Sequence, residues 1–335
     1  MAFKSLLGGI YMKKTIPLFF AVDDNYISFL KVTLESIFEN ASKDYLYDVI
    51  VLNIGLKKES KELLNEYNSD NVKVIYFDVR HKLQKISSDL SIRDYYSKAT
   101  YYRLFIADLF PQYSKAIYLD CDIVVLGDIS KLYNYELGNN LVGAIPDGAV
   151  QITDEFVEYV NKGLGIKEEN YFNAGVLLMN LDEFRKYQLE NKFVELLKKY
   201  TFEIAQDQDY LNVLTKDRVA YIDDSWNVMP LGNYVRPVNL IHYNLSFKPW
   251  KYDNIQYEEH FWNYAKKARV EEQIRNIKDN FTLEDAKKDL EGGKLLKKKA
   301  FEEAYSKHNY FNSYVKKSIF KKLIERVKYF LHINF

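Results

Sequence analysis

Ala116-Ile-Tyr-Leu-Asp120-Cys121-Asp122-Ile-Val-Val125 is an apolar run interrupted by two carboxylates one residue apart. In a strand, residues i and i+2 point to the same side. The two acids would therefore converge at the carboxyl end of a strand, where open α/β sheets place their ligands. Two hard oxygen donors suit Mn²⁺, or Mg²⁺ in its place, and leave coordination positions for diphosphate oxygens. Cys121 would turn the other way, into the sheet, as a small buried filler. Asp-x-Asp alone recurs by chance in many chains. Its weight here comes from closing a strand in an α/β pattern.

That pattern extends on both sides. Strands are expected at residues 18–22, 49–54, 72–77, 116–119 and 141–145. Between the first two, Ile27, Leu30, Leu34, Ile37 and Phe38 share one helical face. Residues 58–67 and 100–110 fill later gaps in the same way. Strands alternating with helices imply right-handed crossovers, hence an α/β fold whose Rossmann-like, mostly parallel sheet is flanked by helices. From about residue 150 the order loosens: a helix near 153–162, a strand at 175–179, helices near 181–199 and 207–215, and short strands at 219–222 and 240–243. No proline- or glycine-rich linker intervenes, so residues 14–265 read as one domain. Residues 266–335 form a Lys/Glu-rich helical extension, with a break expected at Gly292-Gly293 and a basic, aromatic end.

Composition narrows the function. Over 335 residues, 47 basic and 47 acidic side chains give a formal net charge of zero, which argues against a nucleic-acid binder. Cys121 is the single cysteine, which excludes an internal disulfide framework and points to the cytoplasm. Met12-Lys-Lys and the apolar Ile16–Val22 run have the outline of a signal peptide. The run is short, however, and meets Asp23-Asp24-Asn25 without a small-x-small cleavage site, so a buried first strand is the better reading. No segment has the 18 or so apolar residues of a spanning helix. At the far end, Phe311, Val315, Ile319, Leu323, Val327, Phe330 and Leu331 form one stripe. Lys316, Lys317, Lys321, Lys322, Arg326 and Lys328 occupy much of the remainder. This pattern predicts peripheral attachment to an anionic membrane surface, on the inner face of the cell membrane, with docking on the core as the alternative.

Three further clusters carry polar chemistry. His242-Tyr-Asn-Leu-Ser-Phe-Lys248-Pro-Trp follows a short apolar run. Its imidazole could complete a carboxylate-rich Mn²⁺ site, and Lys248 could place a point charge on a diphosphate. Gln206-Asp207-Gln208-Asp209 opens a helix, where acidic residues suit the positive end, but the same residues form a fork of donors and acceptors for sugar hydroxyls. Tyr171-Phe-Asn173-Ala174-Gly175 enters a strand through small residues that let a backbone approach a ligand. Taken alone, each of these last two stretches reads first as structure, a helix start and a plain turn.

Together these stretches resemble glycosyltransferase family 8, the bacterial lipooligosaccharide galactosyltransferases and glycogenin. The resemblance rests on Ala21-Val-Asp23-Asp24-Asn25-Tyr26, Arg103 in Thr-Tyr-Tyr-Arg-Leu, Tyr118-Leu-Asp120-Cys-Asp122, and Asp128-Ile-Ser-Lys-Leu-Tyr. Tyr171-Phe-Asn-Ala-Gly-Val-Leu-Leu, Gln206-Asp-Gln-Asp and His242-Tyr…Lys248-Pro-Trp complete it, all in order from residue 17 to about 262. It implies a GT-A fold and retaining, Mn²⁺-dependent transfer of glucose or galactose from a UDP-hexose donor to a cell-surface glycan or glycolipid acceptor.

Residue by residue, the resemblance makes Asp120, Asp122 and His242 metal ligands. It puts Ala21, Asp23 and Asn25 on uridine, and Cys121 within the donor-binding segment. Arg103, Asn173, Ala174, Asp207 and Gln208 fall on the donor sugar, Lys248 on the diphosphate and Asp147 near the acceptor. Asp207 and Gln208 are the implied catalytic pair. Because an amide is a poor nucleophile, Gln208 beside the anomeric carbon favours same-face substitution, with the leaving phosphate helping to deprotonate the acceptor. One departure stands out: Leu245-Ser246 occupies the place of the family's glycine and proline, which bears on the Lys248 contact. Two other readings compete. One is a non-catalytic relative that stabilises a partner transferase, against which the intact Asp120, Asp122, His242 and Gln208 weigh. The other is a nucleotidyltransferase, which would need a glycine-rich loop after the first strand that Ala21-Val-Asp-Asp-Asn lacks.

Overall fold

A computed structural model describes residues 13–87, 99–232 and 236–318. Nine strands are assigned among the described residues: β1 (Thr15–Ala21), β2 (Leu46–Asn53), β3 (Val72–Asp78), β4 (Lys115–Leu119), β5 (Ile123–Val125), β6 (Val142–Pro146), β7 (Phe172–Asn180), β8 (Val219–Tyr221) and β9 (Leu240–His242). Seven form one sheet in the order β3-β2-β1-β4-β7-β6-β8, and β5 pairs with β9 in a second. The first four in that order run parallel, β7 is antiparallel to both β4 and β6, and β8 is parallel to β6. The expected α/β class and mostly parallel, helix-flanked sheet are borne out.

Continuous apolar strands are what a sheet covered on both faces requires. In β1, Phe19 joins one core with Ile50 and Leu52, while Ile16, Leu18 and Phe20 join the other with Val49 and Val51. Helix α1 (Ile27–Asn40) packs on the second core: Leu30, Leu34 and Ile37 are fully buried, as the periodicity requires. A third cluster gathers Phe29, Trp250, Phe261 and Ile274 around β5 and β9.

Several boundaries differ from the sequence pattern, each for a local reason. The helix expected at 100–110 is a 3₁₀ turn, Ala99–Phe105, followed by Ile106–Leu109. The helix expected at 181–199 breaks at Gln188, which adopts a left-handed φ of 54°. The one near 153–162 passes into a π-helical turn, Tyr159–Leu164, that ends on Gly165. The helix over the cluster near 207–215 is α2 (Asp207–Thr215).

The break expected at Gly292-Gly293 does not occur: α3 (Leu283–Tyr305) runs through both glycines. A Thr282–Asp285 capping box starts it, and Glu284–Lys288 pairs one turn apart support it. It is also pinned to the rest of the chain near both ends. Asp289 accepts hydrogen bonds from Lys251 Nζ at 2.8 Å and Tyr252 Oη at 3.1 Å, and Tyr305 donates to Glu158 at 2.6 Å. Beyond it, Phe311 is half-buried and lies over Gly165, where an added Cβ would come within 2.2 Å of its ring. The first residue of the predicted membrane-facing stripe therefore packs on protein. Residues 319–335, which carry most of that stripe, lie outside the described residues. Among the described residues no helix is long and apolar enough to cross a membrane.

Candidate active site

The acidic pair lies where the chain changes sheets. β4 ends at Leu119 and β5 begins at Ile123, so residues 120–122 form a bend rather than a continuing strand. The two carboxylates thus do not converge through strand alternation, as the sequence pattern implied. They converge because buried polar residues of α1 clamp the bend. Thr33 Oγ1 donates to the carbonyls of Cys121 (3.1 Å) and Ile123 (2.8 Å), and Ser36 Oγ accepts from Val125 N at 2.9 Å. Cys121 is buried with its Sγ 3.8 Å from the carbonyl of Ala21, and burial pushes its thiol well above the ordinary range. It is a filler, as expected.

The antiparallel β5–β9 ladder sets Ile123 opposite His242 and so brings the imidazole to the bend. Ligand atoms of Asp120, Asp122 and His242 lie within 4.8 Å of one another. His242 Nε2 is 3.2 Å from Asp122 Oδ1 and 4.0 Å from Asp120 Oδ2. Lys248 Nζ pairs with the other Asp122 oxygen, Oδ2, so its observed partner is this carboxylate. Asp122 Oδ1 is buried and accepts no hydrogen bond among the described residues. Burial opposes the charge of Asp122, but Lys248 and His242 overcome it and hold its carboxyl well below the usual carboxylate range. Two carboxylates, one of them with an orphaned buried oxygen, and one imidazole are a donor set that fits Mn²⁺.

Gly175 makes room for this cluster. A Cβ there would lie 2.3 Å from His242 Cε1 and 2.8 Å from Asp120 Oδ2. Gly175→Ala is therefore expected to displace the imidazole and weaken Mn²⁺ binding by roughly 10–100-fold, the scale seen when ligand positioning is lost. Titration of the folded variant with Mn²⁺ checks this, and wild-type affinity would refute it.

Next to the cluster, Arg103 is buried to 2 % exposure yet carries its full charge. Its guanidinium donates to Asp120 Oδ1 at 3.0 Å, to Thr100 O at 2.8 Å and to Ala174 O, contacts Asp207 Oδ2 at 3.1 Å, and lies 4.2 Å from the centre of the Tyr118 ring. Burial works against the cation, but the Asp120, Tyr118 and Asp207 side chains outweigh it and raise its pKa. Asp207, at the start of α2, has its own carboxyl pushed up by burial and held back by Arg103. Gln208 bridges two elements: its Oε1 accepts from Ala174 N at 2.9 Å and its Nε2 donates to Asp147 Oδ2 at 3.0 Å. Asp209 faces the protein. It accepts from Tyr159 (3.0 Å), Tyr171 (2.7 Å) and Ala205 N (2.9 Å), and burial raises its carboxyl to about 6.

One cavity of about 290 Å³ is lined by Asp120, Asp122, His242, Arg103, Asn173, Ala174, Asp207, Gln208 and Asp147. The expected metal, sugar and acceptor residues thus meet in one place. Ala21, Asp23 and Asn25 lie apart from that lining, at the carboxyl end of β1, where Asp23 Oδ1 accepts from Asn25 N at 2.9 Å. Leu245 also lines the cavity, with a φ of 50° in the left-handed region where a glycine would be unstrained. Two contributors had no sequence signal. Leu296 of α3 reaches the cavity from the expected extension. Asn227, in an irregular segment, is brought beside His242 because Val228 bridges Ile241 of β9, and its Oδ1 lies 3.0 Å from His242 Nδ1.

Comparison with known proteins places these features in context. The family model for glycosyl transferase family 8 matches residues 17–254. The chain is 28% identical over 278 residues to glycosyltransferase GlyB of Streptococcus pneumoniae serotype 4, covering 75% of this chain and 61% of GlyB. Among solved structures, the galactosyltransferase LgtC in complex with donor and acceptor sugar analogues is 29% identical, with a TM-score of 0.61. That alignment covers 75% of this chain and 96% of LgtC. The bifunctional glycosyltransferase WbbM, in its apo structure, is 25% identical with a TM-score of 0.70, covering 81% of this chain and 53% of WbbM. The chain thus spans little more than half of WbbM and 61% of GlyB.

Proposed function

The chain belongs to glycosyl transferase family 8, and we propose that it is a retaining hexosyltransferase that moves glucose or galactose from a UDP-sugar to a cell-surface or lipid-linked glycan. The observation that carries this reading is the joining, in one cavity, of the Asp120–Asp122–His242 cluster with the Arg103–Asp207–Gln208 group. We assign the catalytic unit to residues 14–265, with the extension lending Leu296 to the cavity wall. Attachment of the basic end to anionic lipid at the cytoplasmic face belongs to the same proposal.

In this reading Asp120, Asp122 and His242 hold Mn²⁺, or Mg²⁺, which would supply positive charge to a departing diphosphate, typically several kcal/mol of barrier. Lys248, paired with Asp122, is within reach of a diphosphate bound at those carboxylates and would add a second charge. Ala21, Asp23, Asn25 and the Cys121 backbone would bound the nucleoside. Arg103, already neutralised by Asp120 and Asp207, would position the sugar rather than the phosphates, alongside Asn173 and Ala174. Gln208 is held by Ala174 and Asp147 and is a poor nucleophile, so the acceptor hydroxyl would attack on the face that UDP leaves. Its proton would pass to the leaving phosphate oxygen.

The deciding experiment is UDP release from UDP-glucose, UDP-galactose and related donors with Mn²⁺, against an EDTA control. Metal-dependent release from at least one donor is expected. A folded protein that releases UDP from none of them would sink the catalytic reading and favour a non-catalytic partner role.

A further inference from the structure

A carboxylate only accepts hydrogen bonds. Asp147 is 4 % exposed and accepts four. Its Oδ1 takes the backbone N–H groups of Ala149 (3.0 Å) and Val150 (3.1 Å), and its Oδ2 takes the side-chain amides of Asn173 and Gln208, both at 3.0 Å. Both amides must therefore point their nitrogens at it. With its nitrogen so committed, Asn173 turns Oδ1 the other way, where it accepts from Gly175 N at 2.9 Å and from Asn227 Nδ2 at 3.2 Å. Asn227 in turn presents Oδ1 to His242 Nδ1 at 3.0 Å. An amide oxygen cannot donate, so Nδ1 must carry the ring proton. Nε2, 3.2 Å from Asp122 Oδ1, is then the ring nitrogen left to face a cation. Backbone donors act in the same sense as Asp147: Gly175 N–H also holds the Asn173 oxygen, and Ala174 N–H also holds the Gln208 oxygen.

We propose that Asp147 is a positioning residue for the metal site. Through Asn173 and Asn227 it biases His242 toward the form, protonated at Nδ1, that leaves Nε2 for a cation, and together with Ala174 N–H it holds the direction of the Gln208 amide. The resemblance put Asp147 near the acceptor; it lines the cavity while its oxygens accept from protein donors. The inference rests on the metal site proposed above. Its reason is polarity: Asp147, Asn173, Asn227 and His242 are buried, and reversing either asparagine amide would set N–H against N–H or oxygen against oxygen.

Asp147→Asn preserves shape and the helix cap, since asparagine caps as well as aspartate. It also introduces an N–H, so the chain loses its imposed direction. In metal-free protein carrying ¹⁵N-histidine, the wild type should show His242 protonated at Nδ1, and Asp147→Asn should show a mixture with rings that lack that proton. Its Mn²⁺ dissociation constant in the presence of UDP, followed by EPR of the free ion, should rise about 10-fold or more. Adding Asn227→Asp puts a carboxylate directly on Nδ1–H. The double variant should recover the tautomer and most of the Mn²⁺ affinity, while turnover stays low because Gln208 is still unfixed. A purely structural role for Asp147 would not give that split.

Wild-type tautomer and affinity in Asp147→Asn would overturn the proposal, as would failure of Asn227→Asp to rescue the folded variant. Should Asp147→Asn not fold, Asn227→Ala cuts the same chain one step from the ring and must give the tautomer mixture; a pure Nδ1–H signal there also overturns it. If the wild type binds no Mn²⁺, the metal reading fails on its own, and the ¹⁵N signal still decides the direction of the chain.

Discussion

Asp122→Asn is expected to remove Mn²⁺ binding and to lower UDP-sugar turnover by at least about 10³-fold, the rate equivalent of roughly 4 kcal/mol of lost charge stabilisation. The size follows from where this carboxylate sits. One oxygen is the buried orphan 3.2 Å from His242 Nε2, and the other is paired with Lys248. An amide offers one oxygen and an N–H, so it either loses the ligand or turns a hydrogen toward the metal. The substitution also has a pH signature in the metal-free protein. The native carboxyl titrates below its ordinary value of 3.8, so it stabilises the fold fully above the usual carboxylate range, and that stabilisation is lost as pH falls below it. The variant should show a shallower loss of stability on acidification. EPR titration, UDP release and urea unfolding at two pH values measure these effects. A variant that binds Mn²⁺ as the wild type does and keeps a tenth of its turnover would remove Asp122 from the metal site.

The second large effect is expected at Arg103. Replacing it with methionine keeps the apolar stem but leaves Asp120 and Asp207 without their shared cation inside the protein. Breaking one side of a buried ion pair typically costs about 3–5 kcal/mol. The Ala174 carbonyl also loses its guanidinium donor, and Ala174 N is the group that holds Gln208 Oε1. Stability and activity should therefore fall together: a lower urea midpoint with an unchanged m value, and UDP release near background. Arg103→Lys should not rescue, because one ammonium cannot reach Asp120, Asp207, Thr100 and Ala174 at once. Wild-type stability in Arg103→Met would mean that the two carboxylates find other partners.

The strands could be read from the chain because β1, β2 and β4 are buried on both faces, which forces continuous apolar runs. The α1 stripe was readable for the same reason, a single core face. Asp120, Asp122, His242 and Gln208 were found through chemistry and resemblance, and the structure brings them into one cavity. The reason first given for the convergence of the acids did not hold. It comes from Thr33 and Ser36, two fully buried polar residues that an amphipathic reading of α1 treats as the outer face. The glycine pair in α3 read as a break because helix propensity is local, whereas the helix is secured at Asp289 and Tyr305 by residues far away in sequence.

Local patterning therefore set the class of fold and the succession of its strands and helices along the chain, while residue chemistry and resemblance picked out the charged and imidazole groups at its centre. Burial and spacing act on near neighbours and leave their mark in one chain. What could not be read there is the direction of the hydrogen bonds from Asp147 to His242, the place of Asn227 and Leu296, and the left-handed turn at Leu245. These depend on which atoms meet across tens or hundreds of residues, and a lone asparagine bears no trace of the carboxylate that will orient it.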